Sequence, residues 1–230
     1  MIKGVLLDFS GTLFRIESTA EWLDACLTPT GLAVPDRERS ELLRRLDHFG
    51  ALPGGPVPVD LPEAIEPLWS ARDLSADQHR AAYTALARAA ELPAGLSADA
   101  LYDRHRSPAA WQPYPDAEPT LRELRRRGLP IAVVSNIGWD LRPVFVSHGL
   151  DELVDAYVFS FEVGVQKPHP AIFQAACDRL GLAPADVLMV GDHPVQDAAA
   201  TAIGCQYFPV DHLPVAERPA GLAPLLDLLR

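Results

Sequence analysis

The chain has 230 residues, 48% of them hydrophobic, enough to bury a full core as one large domain or as a core with a smaller companion. A formal net charge of -11 would repel a phosphodiester backbone or an anionic lipid surface, so neither nucleic acid nor a membrane is an expected partner. Cys26, Cys177 and Cys205 form no CxxC pair and no disulfide framework, which suits a reducing cytoplasm, and no apolar run is long enough for a signal peptide or a membrane span.

Lys3 to Phe9, KGVLLDF, is a short apolar run closed by Ser10-Gly11, and it reads as a buried parallel strand ending at Asp8. From Ser18 to about Arg106 the patterns are helical, with capping-box pairs expected at Ser18 with Glu21 and at Ser75 with Gln78. Residues 51 to 62, ALPGGPVPVDLP, are dense in Pro and Gly and read as a rigid connector. After Pro115 the pattern alternates. Helices are expected at Glu118 to Arg127, Leu141 to His148, Pro170 to Leu180 and Val195 to Ile203, each stopped by a glycine, and a last one at Leu222 to Leu229. The strands between them are Ile131 to Ser135, Ala156 to Phe159, Val187 to Val190 and Gln206 to Val210. Alternation of this kind predicts an α/β fold: a parallel sheet flanked by helices, which the first strand joins from across a helical insert.

Ligands of open parallel sheets bind beyond the carboxyl ends of the strands, and four polar signals fall there. They are Asp8 in DFSGT, Ser135-Asn136 in VVSN, Lys167 in QKPHP, and Asp192 with Asp197 in GDHPVQD. Singly, each reads as well as a turn former, an N-cap or a surface lysine. Together they bring three carboxylates to one edge, and these repel one another unless a cation lies among them. Oxygen ligands of this type suit magnesium. Such an ion and Lys167 would offset the charge of a phosphate approaching Asp8, while Ser135 and Asn136 could hydrogen-bond its oxygens. Displacement at phosphorus would then give an aspartyl-phosphate, which water hydrolyses.

These motifs, in this order and with a helical insert after the first, resemble the haloacid dehalogenase-like superfamily across nearly the whole chain. The resemblance implies a Rossmann-like catalytic core, residues 1–14 and 109–230, and a mobile helical cap, residues 15–108. It implies Asp8 as nucleophile, magnesium held by Asp8, the backbone carbonyl of Ser10 and Asp192, and Asp197 orienting the ion's water. Thr12, Ser135, Asn136 and Lys167 fall on the remaining motif positions. The expected protein is a cytoplasmic hydrolase, monomer or homodimer, acting on a small phosphorylated substrate.

One position departs from that pattern. Phosphatases of the family carry a second aspartate two residues after the nucleophile, acting as general acid and then base, where this chain has Ser10. Loss of a positioned acid costs a factor of about 100 to 10,000. A leaving group that needs little protonation, such as that of an acyl phosphate, would make the loss tolerable; alternatively His193 substitutes as the acid. The family's 2-haloacid dehalogenases also lack that aspartate, but they work without a metal and carry a tyrosine where this chain has Phe173. Its phosphonoacetaldehyde hydrolases need a cap lysine, and Lys3 and Lys167 are the only lysines here. A binding protein that holds a phosphorylated ligand without turning it over is the remaining alternative.

Overall fold

The computed structural model describes residues 1–229. The elements in chain order are β1 (Gly4–Leu7), β2 (Phe14–Ile16), α1 (Thr19–Leu27), α2 (Asp36–His48), α3 (Glu66–Ser70), α4 (Ala76–Ala89), α5 (Ala98–His105), β3 (Trp111–Pro113) and α6 (Ala117–Arg126). There follow β4 (Ile131–Ser135), α7 (Arg142–Ser147), β5 (Ala156–Phe159), α8 (Ser160–Val163), α9 (Pro170–Leu180), β6 (Val187–Gly191), β7 (Gln206–Pro209) and α10 (Ala223–Leu228). They divide into two compact units: Met1–Arg15 with the chain from Gln112 onward, and Ile16–Trp111.

The first unit is an α/β layer structure around a five-stranded sheet in the order β5-β4-β1-β6-β7. Every pairing is parallel, with Val5 opposite Ile131 on one side and Leu188 on the other. Alternation along the strands assigns the faces. Leu6, Ala132, Val134, Val158, Val187 and Met189 share a core with Ile172, Phe173, Ala176 and Cys177 of α9. Val5, Leu7, Ile131, Val133 and Leu188 point the other way and are equally buried. Burial on both faces is why these strands read as unbroken apolar runs. The register sets Leu7 and Val190 side by side, so the residues that follow β1 and β6 leave the sheet together.

The second unit is helical. The capping box at Ser18 forms in full: Ser18 Oγ accepts from the Glu21 amide, and a Glu21 carboxylate oxygen accepts from the Ser18 amide. At Ser75 only half of the expected pair forms. Ser75 Oγ accepts from the Gln78 amide, but its hydroxyl donates to Gln78 Oε1, so Gln78 does not return to the backbone. No helix or strand interrupts residues 51–62, as their Pro and Gly content predicts. The short strands β2 and β3, which pair with each other, were not anticipated. With three residues each they carry no period to read. The helix expected over Val195 to Ile203 is instead a 3₁₀ helix, Ala198–Ile203, after a turn in which the Asp197 amide donates to the His193 carbonyl. No helix among the described residues is long and apolar enough to cross a membrane.

A buried aromatic cluster ties α4 to α5. His79 Nδ1 lies 2.8 Å from the Tyr102 hydroxyl, and the His79 and His105 rings stack at 5.6 Å. Burial drives the His79 pKa down to about 3 and that of His105 well below the usual value, with the Arg72 and Arg106 charges adding at His79. Both imidazoles are therefore neutral in the fold and take up protons readily only when unfolded. The stability they contribute is full above about pH 6.5 and falls as pH drops toward 3. For His79 alone the loss between pH 7 and pH 5 comes to about 2 kcal/mol. Urea unfolding at the two pH values measures it, and in His79→Asn the drop should shrink by about that amount; an unchanged drop contradicts the assignment.

Candidate active site

Asp8 directly follows β1, Ser135 ends β4 and Asp192 directly follows β6, so three neighbouring strands deliver them to one edge of the sheet. The Asp8 amide donates to the Val190 carbonyl at 2.9 Å, which extends the β1–β6 ladder by one residue and fixes where the carboxylate starts. Carboxylate oxygens of Asp8, Asp192 and Asp197 lie within 4.8 Å of one another.

Lys167 is the positive charge among them. Its ammonium donates to Asp8 Oδ1 and to Asp197 Oδ1, each at 2.6 Å, and its side chain is only 3% exposed. The loop that carries it is clamped: Asn136 Oδ1 accepts from the Lys167 amide at 2.7 Å, and Asn136 Nδ2 donates to the Lys167 carbonyl at 2.9 Å. Asn136 thus spends its amide group on the lysine backbone, with a longer contact to Gln196 Oε1 at 3.4 Å. Asp197 accepts from the His193 amide through Oδ2 at 2.9 Å. A Cβ on Gly191 would come within 2.2 Å of that same oxygen, so no larger residue fits at the end of β6.

Three carboxylates and one ammonium leave two negative charges in excess in a nearly dry site. Burial pushes the Asp8 carboxyl well above the usual carboxylate range; Lys167 opposes the rise, and the charges of Asp197 and Asp192 add to it. Burial also works against the charge of Lys167, but Asp197 and Asp8 outweigh it and hold its pKa above the ordinary lysine value. At Asp192 burial is overcome by a hydrogen bond from His212, and the pKa is lowered. An arrangement with two uncompensated negative charges and only oxygen donors fits a hard divalent cation.

Thr12 is fully buried, and its hydroxyl lies 3.5 Å from Asp192 Oδ1. Ser10 Oγ is buried with no hydrogen-bond partner among the described residues. His193, raised as one alternative for the acid, accepts at Nδ1 from the Val195 and Gln196 amides and so caps its own turn. In the helical unit Trp22 is fully buried with its indole N–H on the Leu101 carbonyl, and Glu17 pairs with Arg104. Trp69 is covered by the Arg72 guanidinium at 3.8 Å.

Two residues at the site had no signal in the sequence. His212 lies in the loop after β7 and meets Asp192 across 20 residues. Arg218 is buried and donates to the carbonyls of Gly11 and Thr12 in the turn after Asp8, 207 and 206 residues away. Neither belongs to a motif whose spacing could have found it.

The model of the haloacid dehalogenase-like hydrolases matches residues 2–203. The chain is similar to haloacid dehalogenase-like hydrolase domain-containing protein 3 of Mus musculus, 40% identical over 48% of this chain and 45% of that one. It is similar also to phosphoserine phosphatase of Thermus thermophilus, 44% identical over 36% and 34% respectively. The matches thus span less than half of the length of these relatives. Among solved structures it resembles a phosphatase from Thermococcus onnurineus, 25% identical over 91% of this chain and 86% of that one, with a TM-score of 0.58. In fold it also resembles the L-2-haloacid dehalogenase of Xanthobacter autotrophicus, 24% identical over 100% and 89%, with a TM-score of 0.66.

The charge balance at Lys167 is testable without a substrate. Breaking a buried ion pair on one side costs about 3–5 kcal/mol, so Lys167→Ala should lose that much in urea unfolding at pH 7. The double variant Asp8→Asn/Lys167→Ala should lose clearly less than Lys167→Ala alone, because one of the stranded charges is gone. Equal losses would mean that the two groups are not coupled.

Proposed function

The chain belongs to the haloacid dehalogenase-like hydrolases, and on that premise we propose that it is a magnesium-dependent phosphohydrolase that works through an aspartyl-phosphate on Asp8. The observation that carries this reading is the buried Lys167 ammonium shared between Asp8 and Asp197, with Asp192 close by. Such a centre attracts a dianion only when a second positive charge joins the lysine. Asp8, the Ser10 carbonyl and Asp192 would hold magnesium, with Asp197 orienting its water; when bound, the ion neutralises charge on the phosphate oxygens.

Lys167 contributes the fixed part of that neutralisation. Asn136 keeps the lysine in place by holding its backbone at both polar ends, and it would hydrogen-bond substrate only by giving up part of that clamp. Ser135 at the end of β4 and Thr12 in the turn after Asp8, both buried, are assigned to phosphate oxygens or to that turn. One Asp8 oxygen attacks phosphorus, the bond from phosphorus to the leaving oxygen breaks, and that oxygen departs with the electron pair. Water then attacks phosphorus, freeing inorganic phosphate and restoring the Asp8 carboxylate.

Ser10 and the orientation of His193 decide the substrate class. With a hydroxyl at Ser10 and Nδ1 of His193 accepting within its own turn, neither is assigned as a strong proton donor to the leaving oxygen. The substrate then needs a leaving group that is stable as an anion, as in an acyl phosphate or an activated ester. The helical unit, residues 15–108 in this reading, serves as the cap that selects among them.

The test is a turnover screen of acyl phosphates, phosphomonoesters and 2-chloropropionate with wild type and Asp8→Asn, with and without magnesium. Phosphate release should need both magnesium and Asp8, and simple alkyl phosphates should run slower than acyl phosphates by a factor of about 100 to 10,000. Halide release without metal would place the chain with the dehalogenases, and silence on every substrate would favour a protein that binds a phosphorylated ligand without hydrolysing it.

A further inference from the structure

We propose that His212 is a positioning residue that sets the orientation of Asp192 for the divalent cation; this rests on the reading of Asp192 as a cation ligand. His212 Nδ1 lies 2.5 Å from Asp192 Oδ2, and its Nε2 lies 2.5 Å from Arg15 Nη1. A guanidinium can only donate, so Nε2 accepts, the ring proton sits on Nδ1, and Nδ1–H donates to the carboxylate. Arg15 thereby selects the tautomer that can hold Asp192.

The loop bearing His212 is fixed on both sides of it. Arg218 Nη1 donates to the Asp211 carbonyl at 3.0 Å, and the Tyr114 hydroxyl donates to the Leu213 carbonyl at 2.6 Å. Arg218 stacks on the Tyr114 ring at 3.2 Å and also grips the Gly11 and Thr12 carbonyls, so one guanidinium ties the His212 loop to the turn that follows the nucleophile. That turn has been kept bare at the point of contact. Gly11 has φ +85°, and a Cβ there would come within 2.3 Å of His212 Nδ1 and 2.5 Å of Asp192 Oδ2. An exposed histidine that met a carboxylate by chance would need neither an anchored loop nor a glycine opposite.

The consequence is a division of labour within one carboxylate. Oδ2 is held by the imidazole, and Oδ1 faces the Thr12 hydroxyl. Hydrogen bonds of this kind to a ligating carboxylate fix its rotation, and their removal costs about 10- to 100-fold in metal affinity or activity.

The experiment is a magnesium titration by calorimetry of wild type, His212→Ala and His212→Asn, with the melting temperature of each recorded without metal. His212 is half-exposed, so the metal-free melting temperatures should agree. His212→Ala should bind magnesium about 10- to 100-fold more weakly, and His212→Asn should recover most of the loss, because its side-chain amide places a donor near the position of Nδ1–H. Binding to wild type with unchanged affinity in His212→Ala overturns the inference, as does an equal loss in both variants. If wild type itself binds no magnesium, the cation reading fails and the inference falls with it.

Discussion

The structure turns on a single buried ammonium. Lys167 is the only lysine after Lys3, and it sits between two carboxylates with a third within reach, in a place where an unbalanced charge is costly. Much of the surrounding geometry follows from keeping it there. The sheet order puts β1 between β4 and β6. Asn136 at the end of β4 can therefore hold the lysine backbone, while the residues after β1 and β6 supply the carboxylates. Gly191 is bare because Asp197 Oδ2 lies where its Cβ would be. The three carboxylates formally outnumber the ammonium by two, and burial, with the charges of Asp197 and Asp192 adding to it, raises the pKa of Asp8. In the function proposed for the chain, a divalent cation would relieve the excess, and phosphate, with its own negative charge, would bind only in the cation's company.

The fold was largely legible in the sequence because its signals are local. The predicted central strands are short apolar runs doubly buried in a parallel sheet, and four of the predicted helices of the first unit are followed by a glycine with positive φ, Gly128, Gly149, Gly181 and Gly204. β5 and α9 have the predicted bounds, and β4 does as well. The segment after Asp192 was misread because its Ala-rich run looks helical. There Asp197 is required to reach back to Lys167 and to the His193 amide. The chain meets that demand with a turn and then tightens into 3₁₀ geometry, which no propensity scale registers.

The candidate site was half legible. Asp8, Asp192, Asp197 and Lys167 could be expected to converge because strand ends converge in a parallel sheet, and they do. The role of Asn136 as a clamp was not visible, since a motif position fixes which residue is present but not which atom it engages. His212 and Arg218 lay outside reach altogether. Their contacts to Asp192, Gly11 and Thr12 join loops distant in sequence, and a lone histidine or arginine in a polar loop carries no period and no spacing.

With Asp8 as the proposed nucleophile, Ser10 poses the choice between attack on phosphorus and attack on carbon, and the fate of solvent oxygen decides it. An aspartyl-phosphate is opened by water at phosphorus, so the solvent oxygen leaves with phosphate and the Asp8 carboxylate keeps both of its own atoms. An aspartyl ester made by displacing halide is opened at the Asp8 carbonyl carbon, so the solvent oxygen stays in the protein. A single turnover in water labelled with heavy oxygen, followed by mass analysis of the released product and of the peptide containing Asp8, distinguishes the two. Label in phosphate and none in Asp8 is the predicted result; label in the Asp8 peptide contradicts the account.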